Sequence, residues 1–209
     1  MDENIRKRNE LLAQKVVKCL ETRNMTGYYA ATREEALQKA LELIPQGSTV
    51  TMGGAMSAKE IGLFGAMKTG NYNFIDRDEI EDKRAAMLAA YDADWYLASV
   101  NAMTEDGQLV NIDGNANRVS AIAQGPKHVL FIVGMNKVCD DLDGAMKRAR
   151  NVAAVKNCAR FGKKTPCQTD GVCHDCRSPE RICRALTVLW APMNGMETEV
   201  VLIDEELGM

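Results

Sequence analysis

The densest chemistry in the chain lies near its carboxyl end. Cys167, Cys173, Cys176 and Cys183 are spaced C-x5-C-x2-C-x6-C, with Cys158 nine residues upstream. A C-x2-C pair lets two thiolates converge on one metal, and four thiolates in so short a span suit a tetrahedral zinc site or a 4Fe–4S cluster. The spacing matches neither the bacterial ferredoxin run nor a standard zinc finger, so it does not choose between the metals. His174 is a further candidate ligand. Two other readings stay open: a redox dithiol at Cys173/Cys176, and structural cysteines, free or partly disulfide-bonded. The chain has seven cysteines, an odd number, and five lie between 158 and 183. In a reducing compartment such clustering favours metal or redox chemistry over disulfides. Pro166, Gly171 and Pro179 predict a shaped loop here.

A second group is polar rather than soft. Asp113, Asn115, Asn117 and Arg118 fall in a glycine-containing loop after a short apolar run. The Arg118 fork suits a carboxylate or phosphate, and the carboxylate and amides can add hydrogen bonds. Gly53-Gly54-Ala55-Met56-Ser57 follows another apolar run. Glycines there admit a close ligand, and unpaired N–H groups at a helix start attract anions. It is neither a Walker A loop nor a GxGxxG fingerprint. The plain alternative is a tight turn with Ser57 and Glu60 as a capping box. Lys59 reads as a solvated surface lysine. Glu105 precedes Asp106-Gly107; a well-placed, desolvated carboxylate can act as a nucleophile, or it is a turn residue. His128 heads an apolar run and reads as structural. With two histidines, no Ser/His/Asp order is convincing.

Elements must position these groups. Residues 4–22 predict an amphipathic helix with Leu11, Leu12, Val16, Cys19 and Leu20 on one face. A strand starts at Gly27. Thr32 and Glu35 predict a capping box for a helix burying Ala36, Leu37, Ala40, Leu41 and Ile44. Strands are expected at 48–52, 71–76, 92–100 and 109–112, and helices at 57–68, 78–90 and 117–124. The 78–90 helix should turn Ile80, Met87, Leu88 and Tyr91 inward. His128–Val133 reads as a strand buried on both faces. Residues 140–161 predict a long helix with stripe Leu142, Ala145, Met146, Ala149, Val152 and Ala153, a solvated face at Lys147, Arg148 and Arg150, and Gly162 as C-cap. Strands 185–191 and 199–203 close the chain. This alternation predicts an α/β fold: a mostly parallel central sheet with helices on both faces, the 140–161 helix packed on it. Loops 53–57 and 113–118 should meet at the carboxyl ends of adjacent strands and form a pocket.

The balance of 26 basic against 29 acidic residues offers no field for nucleic acid. No apolar run reaches the length of a membrane span, and residues 1–6 lack an apolar signal core. A cytoplasmic protein of one domain, 1–209, is expected.

The run Glu105-Asp106-Gly107-Gln108-Leu109-Val110, then Asn117-Arg118, then the apolar strand to Val133, resembles the lactate-utilisation (LUD) domain family. Its members carry a Glu-x-Gly-Thr-Leu-Val-like segment, a downstream arginine and a buried strand; Gln108 stands where threonine is common. The resemblance spans residues 10–205. It implies the fold shared by CoA transferases, ribose-5-phosphate isomerase and glucosamine-6-phosphate deaminase, with the cysteine loop 158–183 inserted before the last strands. It implies a role in carboxylic-acid metabolism: binding a small anionic metabolite and supporting L-lactate oxidation to pyruvate beside iron–sulfur subunits, with a homo-oligomer in view. In that family the clusters usually sit on another subunit or domain. A CoA-transferase-like or sugar-phosphate enzyme using Glu105, and a metal- or redox-sensing protein, are the alternative readings.

Overall fold

The structure is a computed structural model, and it describes residues 2–209. In chain order the elements are α1 (Glu3–Glu21), β1 (Thr26–Ala30), α2 (Arg33–Leu43), β2 (Thr49–Met52), α3 (Met56–Glu60), α4 (Leu63–Thr69), β3 (Asn73–Ile75) and α5 (Lys83–Asp92). There follow β4 (Trp95–Ala98), β5 (Ala102–Thr104), β6 (Leu109–Asp113), α6 (Asn117–Gln124), β7 (His128–Gly134) and β8 (Val138–Cys139). The chain ends with α7 (Leu142–Arg148), α8 (Val155–Arg160), α9 (Cys167–Asp170), β9 (Ala185–Leu189) and β10 (Glu197–Ile203).

Six strands form a fully parallel sheet in the order β1-β10-β7-β4-β2-β3. Its centre, β7, is buried from Val129 to Gly134. Side chains alternate across a strand, so β7 feeds two cores. Val129, Phe131 and Val133 pack with Ala13, Val16 and Leu20 of α1. Leu130 and Ile132 pack with Ala36 and Ala40 of α2 and with Leu63 and Met67 of α4. Both faces are therefore covered by helices, as a parallel sheet requires.

A second sheet, β8-β5-β6-β9, departs from the single sheet expected. Here β6 runs antiparallel to both β5 and β9, and β8 pairs parallel with β5. The last two strands therefore part company: β9 joins the small sheet, whereas β10 enters the large one between β1 and β7. The predicted long helix exists as α7, a π-helical stretch Ala149–Ala154, and α8, in direct succession. It packs on the small sheet, with Ala145, Ala149 and Ala154 against Ala102, Val110 and Ile112, and not on the large one as expected. A π turn takes up an extra residue. Ala153 stays in the buried stripe as expected, Ala154 joins it, and Val152 is left exposed.

Local signals fared unevenly. Thr32 accepts from Glu35 N–H as the expected N-cap, but Glu35 reaches back to Ala31 N–H, one residue before the cap, and not to the N–H of Thr32 as a capping box would. Gly162 closes α8 at φ +60°. On α1 the buried face runs through Asn9, Ala13, Val16 and Leu20, and Leu11 faces out. On α5, Met87, Leu88 and Tyr91 are exposed, and Ala86 and Ala90 are the buried residues, reversing the expected face. Small residues let that helix lie close to its neighbours, which large ones would prevent. Among the described residues, no helix is long and apolar enough to cross a membrane.

Candidate functional site

The carboxyl ends of β2 and β4, and the chain after β7, face the small sheet across a cavity of about 420 Å³. Its walls include Gly54–Met56 after β2, Ser99–Asn101 after β4, Lys137 after β7, Asp113 and Arg118 flanking the turn after β6, and Asn157 and Lys163 at the end of α8. The stretch Pro179–Arg184 closes a further side. Gly54, Asp113, Asn115, Asn117 and Arg118 thus gather as expected, but on two sheets and not on adjacent strands of one. Gly53 stands behind them, and a Cβ there would lie 2.7 Å from the Tyr96 hydroxyl and 3.1 Å from Arg118 Cδ. Only glycine fits that approach.

Arg118 is bound into the wall. Its Nη1 donates to Ser99 O at 3.2 Å and to Asn111 Oδ1; its Nη2 donates to Asn101 Oδ1 at 2.9 Å and Ile112 O at 2.8 Å. Nε lies 3.9 Å from Asp113 Oδ2. With both terminal nitrogens engaged, the expected open fork for a ligand is taken up in holding the β4 and β6 loops together. Burial, set against the Asp113 charge, draws this guanidinium below its ordinary value. Asp113 is likewise occupied: it accepts from Arg118 N–H at 3.0 Å and Val119 N–H at 3.3 Å, capping α6. The amide side chains of Asn115 and Asn117 have no hydrogen-bond partner among the described residues.

The cations that reach the cavity include several the sequence did not single out. Arg77, Lys137, Arg160, Lys163, Arg181 and Arg184 line it with Arg118, against the carboxylates of Asp113 and Glu180. This basic field sits in a chain of net charge −3.

Ser57 is not the cap of its helix. Ala55 takes the N-cap position without a side-chain hydrogen bond, so the predicted Ser57/Glu60 box does not form. The Ser57 hydroxyl instead accepts from Lys137 Nζ at 2.8 Å. Arg148, expected on a solvated face, reaches inward to the carbonyls of Asn136, Asn101 and Met209.

The LUD domain family model matches residues 13–203. The chain belongs to the LUD-domain family. It is similar to the crystal structure of a DUF162 family protein from Deinococcus radiodurans, with TM-score 0.58 and 10% identity over 93% of this chain and 98% of that one. At that identity the likeness is one of fold. No curated protein matches the sequence.

In this LUD domain Glu105 stands apart from the cavity. It pairs with Lys15 of α1 at 2.6 Å, and its N–H bonds Cys139 O. The cysteine segment holds only the short α9, and from Gly171 to Arg184 it has no helix or strand. All seven cysteines are free. Burial pushes the Cys158 thiol up, with Cys167 and Cys183 adding to the effect. Burial opposes ionisation of Cys167, but hydrogen bonds with Thr165, Gln168 and Cys158 bring it below its ordinary value. Cys173 Sγ lies 4.0 Å from Arg150 Nη2. So Cys158, Cys167 and Cys183 share one neighbourhood, while Cys173 faces an arginine. The donors suit zinc or iron, but a four-thiolate set would need the Cys173–Cys176 turn to fold onto Cys167. Among the described residues, the set of His, Cys, Asp or Glu side chains close enough for one ion is His128, Glu197 and Glu199, at the amino ends of β7 and β10.

Residues the sequence reading missed are Ser99, Asn101, Lys137 and Arg160. A usable signal existed for Lys137: it follows the most buried strand by three residues, at the end where parallel sheets place ligand sites.

Proposed function

We propose that this LUD-domain protein serves carboxylic-acid metabolism by binding a small anionic metabolite in the basic cavity, in a role related to lactate utilisation. The observation that carries the reading is the surplus of arginine and lysine around one cavity of about 420 Å³ in an acidic chain. Ligand pockets run from roughly 300 to 1,000 Å³, so the space lies near the small end of that range and suits a small anion. Arg160 and Lys163 are the side chains assigned to the ligand, with Asn115 and Asn117 donating from the opposite wall. Arg118 holds the frame and Gly53 leaves room for it, while Gly54 gives the ligand a bare backbone wall beside Arg77 and Arg160. By the same reading the protein keeps the wider fold of CoA transferases and sugar-phosphate isomerases, and it works beside iron–sulfur subunits in L-lactate oxidation. Cys167, Cys173, Cys176 and Cys183, with Cys158 in reserve, are assigned to zinc or an iron–sulfur cluster; zinc would shape the loop, and a cluster would carry electrons. Pro179–Arg184 belongs to that segment and to the cavity wall, so metal binding would shape the pocket.

Calorimetric titration with inorganic phosphate, pyruvate and lactate tests the anion site. At least one should bind, its affinity should fall with salt, and Lys163→Glu with Arg160→Glu should weaken it tenfold or more. Wild-type protein that binds none of the three overturns the reading.

A further inference from the structure

Three strands that are neighbours in the sheet, β7, β4 and β2, deliver three side chains to one point. Lys137, in the 3-10 turn after β7, donates to Ser57 Oγ at 2.8 Å and to Ser99 Oγ at 2.9 Å. The two hydroxyls are 3.3 Å apart. Ser99 and Lys137 line the cavity, whereas Ser57 is fully buried behind them. Gly208, at φ +64°, closes the rear: a Cβ there would lie 2.8 Å from Ser57 Oγ and 3.0 Å from Lys137 Nζ. Arg118 pins the Ser99 carbonyl. The cluster is therefore closed on one side and faces the cavity on the other.

We infer that Ser99 is a nucleophile, that Lys137 is its general base, and that Ser57 positions the lysine, so that the site transfers the acyl group of a small ester bearing a carboxylate or phosphate. The charge assigned to the substrate rests on the anion-binding reading above. Serine is activated by an adjacent base, and Ser–Lys arrangements recur as variants of the Ser-His-Asp logic. A lysine can take a proton only when neutral. Burial draws Lys137 from its ordinary 10.5 down to about 7; Arg148, Arg118 and Lys156 push the same way, and Glu60 opposes them. Ser99 Oγ attacks the ester carbonyl while its proton passes to Lys137 Nζ. The tetrahedral adduct expels the alkoxide, which takes that proton and leaves as the alcohol. Water then attacks the acyl-serine, giving its proton to Lys137, which returns it to Ser99 Oγ as the carboxylic acid departs. Lys137 is 2% exposed and shielded by both hydroxyls, and Ser99 lies nearer the cavity at 8%, so the serine is the group that meets the substrate.

The test uses the full chain with mono-4-nitrophenyl succinate, an anionic ester, beside neutral 4-nitrophenyl acetate. Wild type should release 4-nitrophenolate from the anionic ester at least tenfold faster, and mass spectrometry should find the succinyl group on Ser99. Ser99→Ala and Lys137→Met should each lose a hundredfold or more. If Ser99→Ala fails to fold, Ser99→Cys should still be acylated at position 99, and more slowly once Lys137→Met is added. Ser57→Ala should slow the reaction about tenfold and lower the pH midpoint of acylation, because protonated Lys137 loses an acceptor; an unchanged rate and midpoint would remove Ser57 from the scheme. Phosphate binding with no acylation, or a hydroxylamine-stable amide on Lys137 in place of a hydroxylamine-labile ester on Ser99, overturns this inference and leaves the anion site standing. Loss of phosphate binding as well overturns both.

Discussion

The two ends of the parallel sheet both bury ionisable groups, with opposite results. At the amino ends, His128 stacks on Trp95 with ring centroids 4.3 Å apart, and its Nδ1 lies 3.4 Å from Glu199 Oε1 and 3.6 Å from Glu197 Oε2. Strand register places most of this: Trp95 and Glu197 are both pairing partners of His128. At the carboxyl ends, Ser57 at the start of α3, Ser99 after β4 and Lys137 in the 3-10 turn after β7 come together, and a second sheet supplies the facing wall. Register alone yields tight neighbours and no cavity. Connections that leave parallel strands and diverge open a space, which is why ligands gather there. Burial disfavours charge at either end: it raises the Glu199 carboxyl, against the His128 charge, and lowers Lys137 to about 7.

The largest expected effect comes from cutting the frame between the sheets. Arg118→Ala removes the guanidinium donor from the Ser99 and Ile112 carbonyls and from the Asn111 amide oxygen, while Asn101 Oδ1 keeps the Ile112 N–H at 2.8 Å. Each buried group so stranded costs about 1–3 kcal/mol, and the urea midpoint should fall by the equivalent of about 3 kcal/mol. A loss below about 1 kcal/mol would mean the two sheets do not depend on this side chain.

The contrast sharpens with pH. Lys137 is lowered, so its folded form binds fewer protons than its unfolded form. Its destabilisation is absent above the unfolded value of about 10.4 and complete below about 7. Lys137→Met should therefore gain stability relative to wild type as pH falls from 10 to 6. Glu199 is raised, so its destabilisation is absent below the unfolded value of about 4.3, grows as pH rises above it and is complete above the folded value. Glu199→Gln should gain on wild type as pH rises from 4 to 7.5, by less. Thermal melts across that range check both; parallel curves for mutant and wild type would refute the burial argument at that end.

The smallest effect is expected away from both ends. Lys15 is exposed, and its pair with the half-buried Glu105 is screened by solvent on the lysine side. Lys15→Ala should leave the melting temperature unchanged, and a resolvable drop would give the pair a structural weight that the exposed lysine denies.

Much of this was legible in the chain. The helix at 117–124, the apolar strand from His128 and the Thr32 cap follow from local spacing, whereas Gly54 meets Asp113–Arg118 across two sheets and not on the adjacent parallel strands expected. The faces of α1 and α5 were misjudged because large apolar residues outweighed alanine in the pattern, although close helix packing favours the small side chain. The division of 109–113 and 185–189 into a second sheet was not legible, since alternation reveals a strand and not its partner.

What the sequence determined by itself is the longer elements, the family and the polar loops, because periodicity, capping and turn chemistry act within a few residues; the short β5, β8 and α9 and the break between α3 and α4 lay outside it. Tertiary structure decided what those polar residues do. Arg118 became a strut, Ser57 left its cap for a lysine 80 residues away, Ser99 reached the cavity, and Glu105 stayed outside it. Hydrogen bonds over such separations depend on which strands lie side by side, and that follows from how the whole chain buries its apolar surface.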